Sequence, residues 1–282
     1  MDSPRQQAVE IEDSEAGATP GLMAGKQGLV LGVANDHSIA WGISKALHGQ
    51  GARLAFTYQG EAFAKRVRPL AESLGSEVVL PCDADVESEL DSVFDRLAKD
   101  WGRLDFVIHA IAYSDKEQLK GRYLDTTRDN FAKTLSVSCY SFTALAQRAA
   151  GLMDQGGSLL TLSYLGAQRV TPNYNVMGVA KAALEASVRY LACDLGPNGI
   201  RVNAISAGPM RTLAGSAISD ARFVFGWSRQ HAPLNRAVQL DEVGSAALYL
   251  LSDLSLGVTG EVMNVDCGYN VVGIPSPARL ED

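Results

Sequence analysis

The 282-residue chain has few cysteines, and none of them lie close together in sequence. Common zinc and redox sites use two cysteines about two residues apart, and no CxxC pair occurs here. The four cysteines are Cys82, Cys139, Cys193 and Cys267. We therefore expect no metal site and no disulfide framework, but reduced thiols in a cytosolic protein.

The chain also lacks an excess of basic residues. It has 25 Lys and Arg against 32 Asp and Glu, with a formal net charge of −7 and a pI near 5.2. Surfaces that bind nucleic acids need clustered Lys and Arg to contact phosphates. The composition therefore argues against a nucleic-acid partner.

Long apolar segments are missing as well. No run approaches the roughly 20 residues that cross a bilayer, so we expect no membrane span. The first 20 residues, MDSPRQQAVEIEDSEAGATP, have neither the basic start nor the apolar stretch of a secretory signal. We interpret residues 1–21 as a disordered leader, 22–274 as one domain and 275–282 as a flexible tail of a cytoplasmic protein.

Within that domain, short apolar segments alternate with longer amphipathic ones. The predicted strands are 28–34, 52–58, 77–83, 104–112, 156–164, 200–206 and 260–266. The predicted helices are 38–51, 60–75, 86–102, 128–153, 172–195 and 239–252. This alternation predicts an α/β fold: a single Rossmann-type doubly wound domain with a seven-stranded parallel sheet and helices on both faces. Ligands of such sheets bind at the carboxyl ends of the strands.

A tyrosine and a lysine are the most informative pair in the chain. Tyr174 and Lys181 are seven positions apart, and on an α-helix seven steps of about 100° nearly complete two turns, so both share one face. An ammonium near a phenol favours its ionised form, and the pair suits a group that donates to a developing oxyanion. From spacing alone, the alternative is a packed aromatic ring and a solvated charge.

The loop after the first strand is a candidate phosphate site. It reads GVANDHSI (32–39), with Gly32 at the strand end and Ser38 at the helix start. This is not the GxGxxG motif, but amides at a helix N-terminus attract phosphate, and a hydroxyl there adds a donor. The alternative is an ordinary βα loop whose serine caps the helix.

The ends of the next three strands are also informative. Gln59 stands where NAD-binding folds often carry an acidic residue for the ribose, and no Lys or Arg directly follows to meet a 2′-phosphate. This favours NADH over NADPH, although Lys65 and Arg66 lie further along. Asp83 is able either to accept from an adenine amino group or to cap the following turn. His109 is better interpreted as a satisfied strand residue than as a catalyst.

Together these segments resemble the short-chain dehydrogenase/reductase superfamily, in a divergent branch. Its usual Tyr-x3-Lys motif is absent, because Met177 stands where that tyrosine would fall. Instead, SYLGAQRVTPNYNVMGVAKAALE (163–185) carries Tyr-x6-Lys. With RVNAISAGPMRTLA (201–214) and TGEVMNVDCGYN (259–270), it resembles the NADH-dependent enoyl-[acyl-carrier-protein] reductases of bacterial type II fatty-acid synthesis. The similarity spans residues 23–272.

The resemblance implies reduction of the C2=C3 double bond of trans-2-enoyl-[acyl-carrier-protein] thioesters, with NADH as hydride donor and NAD+ as product. It implies that Tyr174 contacts the thioester carbonyl, that Tyr164 lines the acyl pocket and assists, and that Lys181 binds the ribose and lowers the pKa of Tyr174. Ser114 is implied on the substrate side. The implied cofactor-binding residues are Gly32, Ser38, Ile39, Gln59, Asp83, Ala84, Ile111, Lys181, Met210 and Thr212. The family is typically homotetrameric.

Several alternatives stay open at this point. The segment 213–230 is either a mobile flap over the pocket or a fixed amphipathic helix. Arg211, Arg222 and Arg229 are candidates for a basic patch facing the acidic carrier protein. A ketoreductase would favour the missing Tyr-x3-Lys motif, a reductase of CoA esters is compatible with the motifs, and a non-catalytic NAD(H)-binding sensor would need only ribose contacts.

Overall fold

A computed structural model describes residues 20–217 and 220–274, so the predicted leader and tail lie almost entirely outside the described residues. The strands are β1 (Gln27–Leu31), β2 (Arg53–Tyr58), β3 (Val79–Pro81), β4 (Phe106–His109), β5 (Gly157–Ser163), β6 (Ile200–Ala207) and β7 (Val262–Val265). They form one sheet in the order β3-β2-β1-β4-β5-β6-β7, and every neighbouring pair is parallel. The order reverses between β1 and β4, where a doubly wound sheet opens its ligand crevice.

Helices cover both faces of this sheet. They are α1 (Ile39–His48), α2 (Gly60–Ser73), α3 (Glu87–Trp101), α4 (Arg128–Leu135), α5 (Ser141–Ala150), α6 (Asn175–Leu195), α7 (Leu213–Ala217), α8 (Ala221–His231) and α9 (Leu240–Leu251). Short 3₁₀ turns occur at Lys116–Leu119, Tyr123–Asp125, Leu165–Ala167, Gly196–Asn198, Asp253–Ser255 and Tyr269–Val271.

The core has two apolar layers, one on each side of the sheet. Leu29 and Leu31 of β1 pack with α3, α5 and α6, whereas Val30 between them packs with α1, α2 and α9. Side chains alternate across a strand, so a strand buried on both faces, such as β1, is apolar along most of its length. The predicted single, doubly wound α/β domain is confirmed.

The helix predicted over 128–153 is interrupted. A π-helical segment, Ser136–Tyr140, separates α4 from α5. The Ser138 hydroxyl accepts a hydrogen bond from the Tyr113 amide at 2.9 Å and donates to the Tyr113 carbonyl at 3.1 Å. The segment is thereby tied to the loop after β4, at the ligand edge of the sheet, and π-bulges are frequent at functional sites.

The helix of the Tyr–Lys pair begins later than predicted, at Asn175 rather than at 172. Asn173 has a left-handed φ of 57°, which Asn tolerates better than most residues and which breaks the helical path. Tyr174 therefore occupies the N-cap position, and the expectation that one helix carries both side chains needs correction. The side-chain amide of Asn175 donates to the Leu119 and Gly121 carbonyls at 3.0 and 3.2 Å, which fixes the helix start.

The segment predicted as a flap, 213–230, contains α7 and most of α8, with residues 218–219 outside the described part. Ser228 and His231 of α8 are buried, while Phe223 is exposed. Its mobility remains a prediction. In the described ranges, no helix combines the length and the apolar character needed to cross a bilayer.

Candidate active site

The crevice between β1 and β4 depends on a glycine. Gly32 follows β1 with a φ of 103°, and a Cβ there would lie 2.1 Å from the Ala110 carbonyl oxygen after β4. Any other residue would separate the two strand ends. The predicted Gly32 therefore allows the backbones to approach closely where a flat ligand enters the sheet edge.

Ser38 caps the loop rather than the helix. Ser38 occupies the N-cap position of α1, but its hydroxyl accepts hydrogen bonds from the backbone amides of Ala34 at 2.9 Å and Asn35 at 3.1 Å. The alternative of a serine that caps the helix is therefore not what occurs, because the hydroxyl instead holds the preceding loop against the helix start. The first turn of α1, which begins with half-buried Ile39, carries no acidic residue, so its dipole faces the crevice uncompensated and suits a phosphate.

Two residues predicted for the adenosine end are in contact. The Gln59 amide donates to Asp83 Oδ2 at 2.8 Å, after β2 and β3 respectively. Asp83 Oδ1 also accepts from the Asp85 amide at 3.0 Å, so its alternative role in capping the turn is present as well. Ala84, in the same turn, is half-buried. This end of the crevice is open and polar.

Asp85 was not predicted, although it joins two parts of the site. It accepts from Lys133 Nζ at 2.6 Å and from the Ser136 hydroxyl, linking the loop after β3 to α4 and the π segment. Burial works to raise the pKa of Asp85, but the hydrogen bonds from Lys133 and Ser136 outweigh it and lower that pKa. The partners are about 50 residues away in sequence, so no local pattern could reveal them.

His109 is a structural residue, as interpreted from the sequence. It is fully buried at the end of β4, with Nδ1 2.9 Å from Thr161 Oγ1 and Nε2 2.8 Å from Ser141 Oγ. Burial, together with the nearby Lys181 ammonium, lowers its pKa to about 3. The imidazole is therefore neutral at physiological pH. Ile111, two residues on, packs half-buried against the α3–α5–α6 layer.

Ser114 belongs to a polar cluster over α4. Its hydroxyl accepts from Thr134 Oγ1 at 2.9 Å and from the Asn130 amide at 3.2 Å. Asn130 Oδ1 also accepts from the Asp115 amide at 3.0 Å, which holds the loop after β4 in place. The structure thus gives Ser114 a framework role beside the substrate-side role implied by the resemblance.

The two tyrosines lie together after β5. Their ring centroids are 5.0 Å apart and the rings are inclined by 71°, an edge-to-face contact between Tyr164 and Tyr174. Gly166, in the 3₁₀ turn between them, makes room: a Cβ there would lie 2.3 Å from Tyr174 Cδ1. Gly166 was not predicted, since only the three-dimensional approach of the ring explains it.

Lys181 is buried on α6 and faces the end of β5. Its ammonium donates to the Leu162 carbonyl at 2.7 Å, and an ammonium has further donors to offer a ligand. Burial lowers the pKa of Lys181 to about 8, against the influence of Cys139 and Glu185. A cation this deep fits a site that binds hydroxyl or other acceptor groups at the crevice.

Tyr174 differs from expectation in its titration. Burial, followed by the nearby Tyr164 and Glu185, raises the pKa of Tyr174 well above its ordinary value. The expected lowering by Lys181 is wrong, because the phenol is only 7% exposed and its desolvation dominates. Tyr174 is therefore a protonated hydrogen-bond donor at physiological pH, not a phenolate base.

Glu185 is a further residue that sequence reasoning missed. It is buried one turn after Lys181, and its carboxylate accepts from Ser163 Oγ at 2.6 Å and Gln168 Nε2 at 3.2 Å. The i, i+4 spacing from Lys181 was visible in the sequence and is the one signal that pointed to it. On a surface helix, however, the same spacing usually indicates a solvated ion pair.

The last predicted residues follow β6. Met210 packs half-buried against the α1–α2–α9 layer. Thr212 Oγ1 accepts from the Gly215 amide at 2.9 Å and thereby starts α7. Both lie in the connection from β6 to the segment 213–230, at the same sheet edge as Gly32 and the tyrosines.

These residues fit a dinucleotide. Gly32 provides a cradle that a side chain would fill, the start of α1 suits a pyrophosphate, and the buried Lys181 suits ribose hydroxyls. Gln59 and Asp83 supply an amide and a carboxylate at the open end. The described crevice therefore offers hydrogen-bonding groups that suit NADH, and Gly32 leaves room at the sheet edge.

Comparisons with known proteins agree with this geometry. A family model described as Enoyl-(Acyl carrier protein) reductase matches residues 32–270. The Enoyl-[acyl-carrier-protein] reductase [NADH] 2 of Rhizobium meliloti is 63% identical over 260 residues, which are 92% of this chain and 97% of that protein.

Solved structures give the same result. The enoyl-(acyl-carrier-protein) reductase of Anaplasma phagocytophilum in complex with NAD is 60% identical, covers 92% of this chain and 98% of its own, and has a TM-score of 0.88. The Bacillus cereus enoyl-acyl carrier protein reductase with NADP+ and indole naphthyridinone is 49% identical, covers 90% and 100%, and has a TM-score of 0.88. The chain therefore belongs to the enoyl-(acyl carrier protein) reductase family.

Proposed function

We propose that the crevice reduces the C2=C3 double bond of trans-2-enoyl-[acyl-carrier-protein] thioesters with NADH, the last reductive step of each cycle of fatty-acid elongation. The observation that carries this proposal is the packing of Tyr164 against Tyr174, together with the buried Lys181, whose ammonium donates to Leu162 near the end of β5. A phenol held protonated in an apolar pocket is suited to stabilise an enolate oxygen.

NADH supplies the hydride when it is bound. Tyr174 donates a hydrogen bond to the thioester oxygen, whose charge grows as the double bond is reduced. Its high pKa keeps the proton on the phenol, so Tyr174 acts by stabilising charge. Tyr164 packs on the Tyr174 ring and orients it while lining the acyl pocket.

The remaining roles follow the crevice from one end to the other. Gly32, Ser38 and Ile39 bind the pyrophosphate, while Gln59, Asp83 and Ala84 bind adenosine. Lys181 donates to ribose hydroxyls. The residues that face the nicotinamide end and the substrate are Ile111, Met210, Thr212 and Ser114. The neutral Gln59 beside an acidic Asp83 disfavours a 2′-phosphate, so NADH is preferred over NADPH.

The partner of this crevice is an acyl carrier protein. Arg211, Arg222 and Arg229 are exposed near α7 and α8, and offer positive charge to an acidic carrier. Exposed apolar side chains of the π segment and α6, Tyr140, Val179 and Tyr190, support assembly into a homotetramer. The enzyme acts in the cytoplasm, where its four free cysteines stay reduced.

The test follows NADH absorbance with crotonyl thioester, on the wild type and on Tyr174→Phe. Loss of one oxyanion donor costs about 3 kcal/mol, or 10²–10³ in rate, so we expect Tyr174→Phe to lose that much in kcat and to keep NADH affinity. Acetoacetyl thioester serves as the ketoreductase control. NADH binding without turnover would favour the sensor, and turnover of the acetoacetyl substrate alone would favour a ketoreductase.

A further inference from the structure

A buried carboxylate, that of Glu185, lies close to the segment of the tyrosines and to the lysine. Glu185 is only 5% exposed and lies on α6, one turn after Lys181 and on the same side of the helix. A carboxylate buried at this depth is costly unless it is hydrogen-bonded or balanced by a positive charge. Its neighbours therefore indicate what it does.

Its two hydrogen bonds bracket the segment that carries Tyr164. Ser163, the last residue of β5, donates to Glu185 Oε1 at 2.6 Å, and Gln168, just after the 3₁₀ turn, donates to Oε2 at 3.2 Å. Between these two residues lie Tyr164 and Gly166, which set the position of the Tyr174 ring. One side chain of α6 thus holds both ends of the segment.

The same carboxylate contributes charge to the site. The titratable groups that face Lys181 are His109 from β4, Cys139 from the π segment and Glu185 from α6 itself. Burial lowers the pKa of Lys181 to about 8, while Cys139 and Glu185 raise it. Glu185 also helps to raise the pKa of Tyr174. His109 is neutral, so the negative charge of Glu185 favours both an ammonium at Lys181 and a protonated phenol at Tyr174.

We propose that Glu185 is a positioning residue of this reaction, which clamps the Ser163–Gln168 segment to α6 and keeps Lys181 cationic while Tyr174 stays protonated. The inference rests on the proposed function, because it assigns Glu185 a role through residues that act on NADH and the thioester. It touches neither the cofactor nor the substrate itself. Its two effects, contact and charge, are separable by substitution.

Glu185→Gln removes the charge and keeps a side chain of the same shape. The amide oxygen still accepts from Ser163, and Gln168 is able to turn its own amide to match. Without the negative charge, Lys181 loses its proton at lower pH. We expect the alkaline decline of kcat/KM, and that of NADH binding, to move to lower pH by about 1 unit, since a nearby opposite charge shifts a pKa by about 1–3 units.

Ser163→Ala gives the complementary result. It keeps the charge of Glu185 but releases one end of the clamped segment, so we expect kcat to fall about 3- to 10-fold for one lost hydrogen bond, with the alkaline decline at the wild-type pH. Asp194→Asn is the matched control, because it removes an exposed carboxylate from the same helix. It should change neither quantity.

Thermal unfolding first establishes that each variant is folded. If Glu185→Gln does not fold, Glu185→Asp replaces it: that side chain retains the charge and loses reach, so it should lower kcat without moving the alkaline decline. A decline that stays in place in Glu185→Gln, or moves in Glu185→Asp, overturns the charge role. Unchanged kcat in Ser163→Ala overturns the clamp.

NADH binding, followed by protein fluorescence without a thioester, separates this inference from the proposed function. If the wild type binds NADH but does not reduce the enoyl thioester, the function fails. A pH shift of NADH binding in Glu185→Gln would then still support the link between Glu185 and Lys181. If the wild type turns over, Glu185→Gln keeps the wild-type pH dependence and Ser163→Ala keeps the wild-type kcat, the function stands and the inference fails.

Discussion

The two ends of the crevice are built differently. After β5, Tyr174 and Lys181 are only 7% and 6% exposed, and they contact the half-buried Tyr164 and Leu162 respectively. After β2 and β3, Gln59 is exposed and its hydrogen bond to Asp83 competes with water. Polar groups in a dry pocket have no alternative partner, whereas exposed ones exchange theirs for solvent at little cost. Position is therefore fixed at the buried end and adjustable at the open one.

This contrast predicts where substitutions act. Changes at the buried end should reduce kcat, because they displace or discharge groups aligned with the reacting atoms. Changes at the open end should raise KM for NADH and leave kcat, because they remove binding that is equal in the ground and transition states. The same contrast predicts that only at the buried end can a substitution that lowers activity also raise the free energy of unfolding.

Lys181→Met should give the largest effect. We expect loss of NADH binding and at least a 10²-fold fall in kcat/KM, since misplacing a reactant by about 1 Å already costs that much. The fold should gain about 1–2 kcal/mol near neutral pH, since a desolvated cation disappears but its hydrogen bond to Leu162 is lost as well.

The pH dependence of that gain has a definite sign. The pKa of Lys181 is lowered from 10.5 to about 8 in the folded protein, so the buried cation destabilises it fully below about pH 8. The penalty fades as pH rises towards 10.5, where the unfolded chain is neutral too. Urea unfolding across this range measures it, with the exposed Lys99→Met as control. Equal stability of wild type and Lys181→Met at neutral pH would contradict the conclusion that the buried Lys181 cation destabilises the fold.

Gly166→Ala should follow in size. The added methyl would lie 2.3 Å from Tyr174 Cδ1 and 3.2 Å from Tyr164 Cδ1, so the Tyr174 ring must move. We expect kcat to fall about 10- to 100-fold, with NADH affinity little changed, because the ring is displaced and the crevice is not. Gly196→Ala has no atom near its new methyl and should behave as the wild type. Wild-type kcat in Gly166→Ala would show that the ring position is not critical.

Gln59→Ala should have a smaller effect, confined to binding. The loss of an exposed hydrogen bond of about 0.5–1.5 kcal/mol should raise KM for NADH about 3- to 10-fold and leave kcat within about twofold. Steady-state kinetics with varied NADH measures both quantities. Gln155→Ala, an exposed amide before β5, is the control. A fall in kcat larger than the rise in KM would place Gln59 closer to the chemistry than the open end allows.

The sequence was sufficient for the fold and for the family. Strands buried on both faces are apolar along most of their length, which made β1 and β2 recognisable, and Tyr-x6-Lys distinguished this family from its relatives with Tyr-x3-Lys. The seven predicted strands all occur, in the predicted parallel sheet. Strand ends were overestimated, because residues such as Val33 and Ile111 are apolar for packing beyond the ladder.

What could not be predicted depends on contacts between distant residues. The π segment arises where Ser138 bonds the backbone of Tyr113, 25 positions away. The hydrogen bonds of Asp85 with Lys133 and Ser136, and of Glu185 with Ser163, form only where the folded sheet brings their elements together. The pKa of Tyr174 depends on its burial, which spacing along a helix does not reveal. Position in sequence thus predicted where these side chains lie in the fold better than it predicted their protonation.

Asp85→Asn should have the smallest effect and completes the contrast. The partner Lys133 is half exposed, so the pair stabilises the fold by about 1 kcal/mol or less. The pKa of Asp85 is lowered from 3.8, so its contribution is present above that pH and is lost as pH falls through the folded-state pKa. Urea unfolding should therefore find Asp85→Asn slightly less stable than the wild type near neutral pH and equal to it in acid, while Asp194→Asn shows no such convergence. A destabilisation that persists in acid would mean that Asp85 acts through its shape and not its charge, and that the open end is more rigid than its exposure suggests.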